Sequence, residues 1–571
     1  MKAEFCLVIP AIKKNAVIPD QLVKKLAGVT LIQRALDTAK KVCAVTHIHV
    51  VTDSDEIRLI CERNGVNCDY DPAYAIRSVN IVSSLRPILL RLAEGYERII
   101  IYRASSPLIN EGDIAHAYEH FVQEGSDCLV SVKSVKYRLW KEKNNDLDAL
   151  LFNDDNEEEA YIETKALFML RSSSLMDISD AGPLSPAGEA GKKSQKKRGL
   201  VITPYFLNDR SVEINSYQDW WICEKLLQSK HVVFVVAGYP AIGMGHIYRA
   251  MMLAHEISDH RITFVCTKES ELAAHNLAAR DCHTKTQQTD SLAADVLRLR
   301  PDLVINDILD TPEEYMLALK ERGIPVANFE DEGPGAAHAD LIINALYSGT
   351  MNADPHYLYG FRNFCLRDEF VLARKRDFSN SLGRVLVTFG GTDVDNFTRQ
   401  TLETILPLCR KHGIAIAVVT GPGYAHIDAL ASRMAEIAAD PENPPVEFTH
   451  ATNVISRYME QSDIAICSAG RTVYELTHMR VPAVVMSHHE REDMHSFARS
   501  RNGFLYLGIM NPFRQTDLLA AFENLLDTRL RRELFLRQSR FDFSQNKTHV
   551  MGKILALLHS PANNHAGGKH S

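Results

Sequence analysis

Three glycine-bearing turns carry the residue types that could do chemistry in this chain. The first reads Gly238-Tyr-Pro-Ala-Ile-Gly243-Met-Gly245-His246-Ile-Tyr-Arg249 and follows the apolar run 231–238. Glycines between a strand and a helix let a ligand approach the backbone, and the helix N-terminus favours an anion there. His246 stands at that turn, where it can act as a base toward a bound substrate. A tight turn with a structural histidine is the plainer reading of this segment taken alone. The second turn is Gly390-Gly391-Thr392-Asp393. The third is Ser468-Ala-Gly470-Arg-Thr472, with Glu475 one turn into the next helix. Hydroxyl and amide donors suit phosphate, and a carboxylate accepts from ribose hydroxyls. Helix capping by Ser468 or Thr472, with Glu475 an incidental first-turn acid, would explain the third turn on its own. Three such turns in two similar segments point to a nucleotide cleft.

Alternating strands and helices must position these turns. Residues 5–9, 47–52, 98–102 and 128–132 read as buried strands, with helical spacing over 30–41 and 113–123. This alternation predicts a mostly parallel sheet covered on both faces. The stretch 172–199 breaks the pattern with Gly182-Pro183, Ser185-Pro186 and the cluster Lys192, Lys193, Lys196, Lys197 and Arg198. It is expected to be a solvated loop insertion. Strand signals return at 231–238, 303–306 and 341–344, then at 384–390, 414–420, 464–467 and 483–486. The expected units are 1–228, 231–376 and 384–558, and the Gly-, Asn- and His-rich tail 559–571 is expected to be disordered.

Composition narrows the partners. The 571 residues are 46% hydrophobic and 24% charged, which excludes wholesale disorder. A net charge of −8 argues against nucleic acid as partner, since phosphate binding wants a basic face. No apolar run approaches the roughly 20 residues of a membrane span. The opening Met1-Lys-Ala-Glu4-Phe-Cys-Leu-Val-Ile-Pro10 reads as a first buried strand rather than a secretory signal. The 11 cysteines are scattered without a C-x-x-C pair, so neither a disulfide framework nor a zinc ribbon is expected. They fit a reducing cytoplasm.

Residues 243–249 resemble the N-terminal signature of the UDP-sugar hydrolase of the pseudaminic-acid pathway, a relative of the MurG-type glycosyltransferases. The likeness covers most of 231–558 through Phe329-Glu-Asp331, Ala339-Asp-Leu-Ile-Ile-Asn344 and Tyr359-Gly-Phe…Leu366-Arg-Asp-Glu-Phe370. It implies a GT-B fold, two Rossmann-like halves with a UDP-amino-sugar in the cleft and no cofactor. It implies water attack at the anomeric carbon with UDP leaving, His246 as base, Asp307 assisting and Arg249 near the substrate. Gly243, Gly245, Gly390, Gly391, Thr392, Ser468, Gly470, Thr472 and Glu475 are the implied UDP contacts. Where that family has Asn-Gln, this chain has His489-Glu490, a change in a segment expected to touch the sugar. His488, His489, Asp493 and His495 have metal-ligand residue types, but the surrounding charges favour substrate contact over a metal centre.

Residues 1–228 resemble a CMP-nonulosonate cytidylyltransferase of the CMP-sialic acid synthetase type, an α/β nucleotidyltransferase of GT-A-like build. The frame is Val8-Ile-Pro-Ala11, Ile18-Pro19, Val51-Thr-Asp53-Ser54 and Ser105-Ser-Pro-Leu108, closed by Ser211-Val-Glu213-Ile-Asn215-Ser-Tyr-Gln-Asp219. The resemblance implies CTP and a nonulosonic acid as ligands, contacted by Lys13, Lys14, Asp53, Arg103 and Ser105. It implies Mg2+ at Glu213 and Asn215, and a homodimer through this domain. The sequence departs from the pattern where the chemistry sits. The phosphate turn 12–22 has no glycine, and Ile12, Ala16 and Gln21 replace cations. Arg103 replaces a glutamine, and Asn215 an aspartate. A triphosphate needs close backbone donors and positive charge, so a weakened or non-catalytic domain is expected, with Lys13 and Lys14 restoring part of the charge.

The resulting expectation is a fused protein of nonulosonic-acid biosynthesis: a UDP-sugar hydrolase behind a cytidylyltransferase-like domain. Its alternatives are a GT-B glycosyltransferase, a fully active bifunctional enzyme, and a non-enzymatic N-terminal sensor or scaffold.

Overall fold

The computed structural model describes residues 2–15, 18–74, 81–135, 140–143, 146–149, 160–178, 200–207, 211–239, 242–349 and 355–558. The chain forms two compact units, Met1–Ser229 and Lys230–Ser571. The lysine cluster of the insertion, Ala16 and the tail 559–571 lie outside the described residues. Among the described residues no helix is long and apolar enough to cross a membrane.

The first unit is built on a seven-stranded sheet. Its order is Ile202–Phe206, Cys128–Val135, Ala160–Arg171, Tyr96–Tyr102, Ala3–Ala11, Ile48–Thr52, Asn67–Tyr70. Ala160–Arg171 runs antiparallel to both neighbours, and the other pairings are parallel. The interior strand Ala3–Ala11 buries Cys6, Leu7, Val8 and Ile9 completely, as a strand covered on both faces must. Helix Leu31–Val42 starts where the Thr30 side chain accepts from Gln33 N and buries Leu31, Ile32, Ala35, Leu36 and Ala39. Helix Glu111–Glu124 is fixed by an Asn110/Asp113 capping box and stopped by Gly125 in the left-handed conformation.

The second unit holds two parallel sheets. One runs Thr284–Thr286, Arg261–Cys266, His231–Val236, Leu303–Asp307, Val326–Phe329, Leu341–Asn344, Tyr357–Tyr359. The other runs Val446–His450, Ala415–Thr420, Arg384–Thr388, Ile464–Ser468, Ala483–Ser487, Phe504–Ile509. Both begin in the middle and reverse direction beside their first strand. That is the Rossmann order, and it opens a crevice at the carboxyl ends of the two strands flanking the reversal.

The halves do not divide where sequence spacing put them. Ala345, Leu346, Tyr347, Phe364, Leu366 and Phe370 pack into the core of the second half, so the apolar contacts change sides well before 376. Helix Asn546–Leu558, expected with the second half, buries Val550, Met551, Ile554 and Leu558 among Phe234, Met251 and Phe264 of the first. The cause is packing: its apolar stripe joins the first-half core beside helix Gly245–His255.

Candidate functional site

The two reversals face one another across a cleft of about 350 Å³. From the first half come the turn after His231–Val236 and the end of Leu303–Asp307. From the second come the turns after Arg384–Thr388 and Ile464–Ser468. Fold order alone therefore gathers the three glycine turns. Gly243, Gly245, His246, Arg249, Gly390, Gly391, Thr392, Ser468, Gly470, Thr472, Glu475 and His489 all line the cleft. At Gly391 the halves approach closely, since a Cβ there would lie 2.9 Å from Met244 N. Gly390 has a φ of +77°, which favours glycine.

His246 and Arg249 lie one turn apart on helix Gly245–His255, so they share a face. That face meets Asp307, the last residue of its strand. His246 Nδ1 donates to Asp307 Oδ1 at 2.5 Å, and Arg249 donates to both carboxylate oxygens, from Nε at 2.7 Å and Nη2 at 2.6 Å. Arg249 Nη1 reaches Glu330 Oε1 at 2.9 Å. All four side chains are buried. Burial works against the Asp307 charge, but Arg249 and His246 outweigh it and hold the carboxyl down at about 2. Glu330 goes the other way: burial lifts its carboxyl, and Arg249 only partly offsets this. With Nδ1 committed to Asp307, Nε2 is the ring nitrogen His246 can offer to the cleft.

The second half supplies cations and acceptors. Arg471 stands at the start of helix Thr472–Met479, its guanidinium 4.6 Å over the Phe364 ring and bonded to Cys365 O at 3.0 Å. Burial and the like charge of Arg249 pull it down to about 10, so it stays charged at neutral pH. Glu475 lines the cleft with Oε1 held by Arg367. Asp393 also lines the cleft, with its oxygens committed to the start of helix Phe397–His412, where they accept from Phe397 N and Thr398 N, both at 2.8 Å.

The segment 488–495 corrects one expectation. Glu490 opens the short helix Glu490–Asp493 and is exposed, off the cleft lining, whereas Glu492 is buried and lines it. His489 caps this helix, its side chain accepting from Glu492 N, and the turn carries Glu492 inward, where it accepts from His488 N at 2.7 Å. Burial raises the Glu492 carboxyl. His495 donates from Nδ1 to Ala469 O at 2.9 Å, and burial lowers it to about 4, which leaves a neutral ring in the cleft. Arg491 ties the halves together, reaching Asp310 Oδ2 at 2.5 Å and Glu330 O at 2.9 Å in the first, and bonds within its own half to Tyr347 Oη at 3.0 Å. Sequence reasoning gave no role to Glu330, Arg471, Arg491 or Glu492, although each lies in a segment it singled out: Glu330 in Phe329-Glu-Asp331, Arg471 in the third glycine turn, and Arg491 and Glu492 in the stretch 488–495. Among the described residues no group of three or more His, Cys, Asp and Glu is placed to hold a metal.

In the first unit, the residues expected around CTP bond to one another. Asp53 Oδ1 accepts from Lys13 N at 2.7 Å and Oδ2 from Lys14 N at 3.2 Å. Lys13 Nζ pairs with Asp20 at 2.7 Å and Glu56 at 3.2 Å, and Lys14 Nζ bonds to Pro72 O. Their charge is thus partly committed within the chain and does not simply restore what the turn lost. Gln21 is buried and donates to Ile214 O at 2.9 Å. Arg103 Nη1 donates to Glu213 Oε1 at 2.6 Å, Ser105 Oγ joins it at 3.3 Å, and Asn215 Nδ2 donates to Glu213 Oε2 at 3.4 Å.

Known proteins are similar to parts of this chain. An uncharacterized protein of Methanocaldococcus jannaschii is 24% identical over 275 residues, 45% of this chain and 56% of that one. This chain thus spans just over half the length of that relative. The spore coat polysaccharide biosynthesis protein SpsG of Bacillus subtilis is 25% identical over 276 residues, 46% of this chain and 78% of that one. Among solved structures, MurG of Acinetobacter baumannii matches with a TM-score of 0.42 and 16% identity, over 57% of this chain and 99% of that one. Residues 9–181 match the family model described as cytidylyltransferase, and the N-terminal unit therefore contains a cytidylyltransferase-family domain.

Proposed function

We propose that the second unit hydrolyses a UDP-linked amino-sugar in its cleft, and that the chain serves nonulosonic-acid biosynthesis. The observation that carries this reading is the His246–Asp307–Arg249 arrangement at the cleft wall, opposite turns suited to a nucleoside diphosphate. The diphosphate rests on the 390–392 and 468–472 turns, where the N-terminus of helix Thr472–Met479 and Arg471 offset its charge. Asp307 holds the Nδ1–H tautomer of His246, so Nε2 has a lone pair for a water proton. The water oxygen bonds to the anomeric carbon as the carbon–oxygen bond to phosphate breaks. UDP leaves with that electron pair, and the proton stays on His246. Glu492 and His495 present acceptors to the sugar's hydroxyl or amide hydrogens, in the segment whose His489-Glu490 departs from the Asn-Gln of the resembled family. A cytidylyltransferase-family domain on the same chain and a polysaccharide-biosynthesis relative support the wider assignment.

The test is incubation with a panel of UDP-2,4-diacetamido sugars, with products read by mass spectrometry. The reading expects free sugar and UDP with no acceptor present. Turnover that appears only with an added acceptor would make the unit a glycosyltransferase.

A further inference from the structure

We infer that in the N-terminal unit the guanidinium of Arg103 stands in place of the divalent cation that a cytidylyltransferase uses, so this unit does not take Mg2+–CTP. The resemblance points to Glu213 and position 215 for Mg2+, and the donor set there does not fit one. Mg2+ demands oxygen ligands in near-octahedral array and is held through carboxylates. Glu213 is the one carboxylate of the pair, and both its oxygens are taken: Oε1 by Arg103 and Ser105, Oε2 by Asn215. Asn215 Nδ2 also donates to Glu213 O at 3.2 Å, so its amide turns hydrogens, not oxygen, toward the carboxylate. Donor hydrogens and a guanidinium repel a dication from the spot they occupy.

Among the described residues no group of three or more His, Cys, Asp and Glu assembles to make up the deficit, although Glu163 lies near enough to feel both Arg103 and Glu213. Asp219 Oδ2 accepts from Asn215 N and Ser216 Oγ, both at 2.9 Å, as part of a helix start. Asp53 is held by the Lys13 and Lys14 amides. The Arg103–Glu213 pair is itself largely withdrawn from water, with side chains 18% and 11% exposed, where a close ion pair is strongest and parting it most costly. The substitutions at 103 and 215 therefore act as one exchange: a carboxylate is lost, and a fixed internal cation neutralises the one that remains.

Manganese, whose free aqua ion gives a strong electron paramagnetic resonance signal, is the probe. With the full-length protein and no nucleotide, the free-ion signal should be undiminished. The double variant Arg103→Gln, Asn215→Asp should take up one equivalent. Stoichiometric uptake by the wild type that disappears in Glu213→Gln would overturn the inference, as would a double variant that leaves the manganese free. In parallel, wild-type protein with CTP, Mg2+ and a panel of nonulosonic acids should release pyrophosphate no faster than buffer. Release above that background would also overturn it. The wild-type arms need no variant to fold, and neither depends on what the second unit hydrolyses.

Discussion

Asp307→Asn removes one charge and almost no volume, which makes it the sharpest probe of the cleft. Asp307 accepts three hydrogen bonds, at 2.5, 2.6 and 2.7 Å, from two residues. An asparagine has one acceptor oxygen, so its amide hydrogens must face His246 or Arg249. Arg249 is permanently charged and cannot accept, so the oxygen stays with the guanidinium and the amide turns to His246. Nδ1 must then accept, the proton moves to Nε2, and the cleft loses its lone pair. The same exchange in serine-protease triads costs about 10⁴ in kcat, roughly 5 kcal/mol of barrier. We expect kcat for sugar release to fall by about 10³–10⁴, with KM changing little because most of the implied nucleotide contacts lie in the other half. Stability falls too. Breaking a buried ion pair costs about 3–5 kcal/mol, though Glu330 still pairs with Arg249 and limits the loss. The pH dependence follows from the same carboxyl. Its folded pKa of about 2 is below the ordinary 3.8, so its contribution, about 2 kcal/mol, is present above pH 3.8 and lost as pH falls toward 2. The assay is release of UDP under saturating substrate, beside thermal unfolding. An asparagine variant that keeps kcat within about tenfold of wild type would refute the tautomer argument.

His246→Ala should cut turnover by about 10²–10⁴ while calorimetry finds UDP affinity nearly unchanged; normal turnover would remove the histidine from the mechanism. Arg491→Ala strips the two hydrogen bonds, to Asp310 and Glu330 O, by which it joins the halves, each on the order of 1–3 kcal/mol. KM should rise more than kcat falls, and unchanged kinetics would show that the cleft closes without this clasp. Gly391→Ala puts a Cβ 2.9 Å from Met244 N and should widen the gap between halves, lowering kcat/KM at least about tenfold with circular dichroism intact. His478 and His495 are both held near pH 4 by burial, below the ordinary 6.5. Their neutral forms stabilise the fold fully above pH 6.5, and that stability is lost as pH falls through about 4. Urea unfolding at pH 5 should show a stability lower by about 1–3 kcal/mol than at pH 7; an equal value would contradict the burial of these rings.

The three glycine turns could be read from the sequence because they are local: a strand, a few small residues, a helix start. What they surround could not. His246 and Arg249 are neighbours on one helix face, but Asp307 lies 61 residues beyond His246, and Glu330 81 beyond Arg249. Only the strand order, which sets Leu303–Asp307 beside His231–Val236, brings those carboxylates to the histidine. The Glu490 and Glu492 exchange has a similar origin. Two acids two positions apart are equivalent in composition, and the cap at His489 decides which one the short helix turns inward. The closing helix was mis-sited because amphipathic spacing tells that a face is buried, not against what. In the N-terminal unit the sequence displayed every loss, the missing glycines and the residues at 12, 21, 103 and 215, but a loss is silent about its replacement. Arg103 and Asn215 look like two independent defects until Glu213 is seen between them, receiving a hydrogen bond from each. Two defects that converge on one carboxylate make a new interaction. For this reason reverting position 103 or position 215 alone should leave the divalent cation excluded, because either remaining donor still occupies an oxygen that the metal would need.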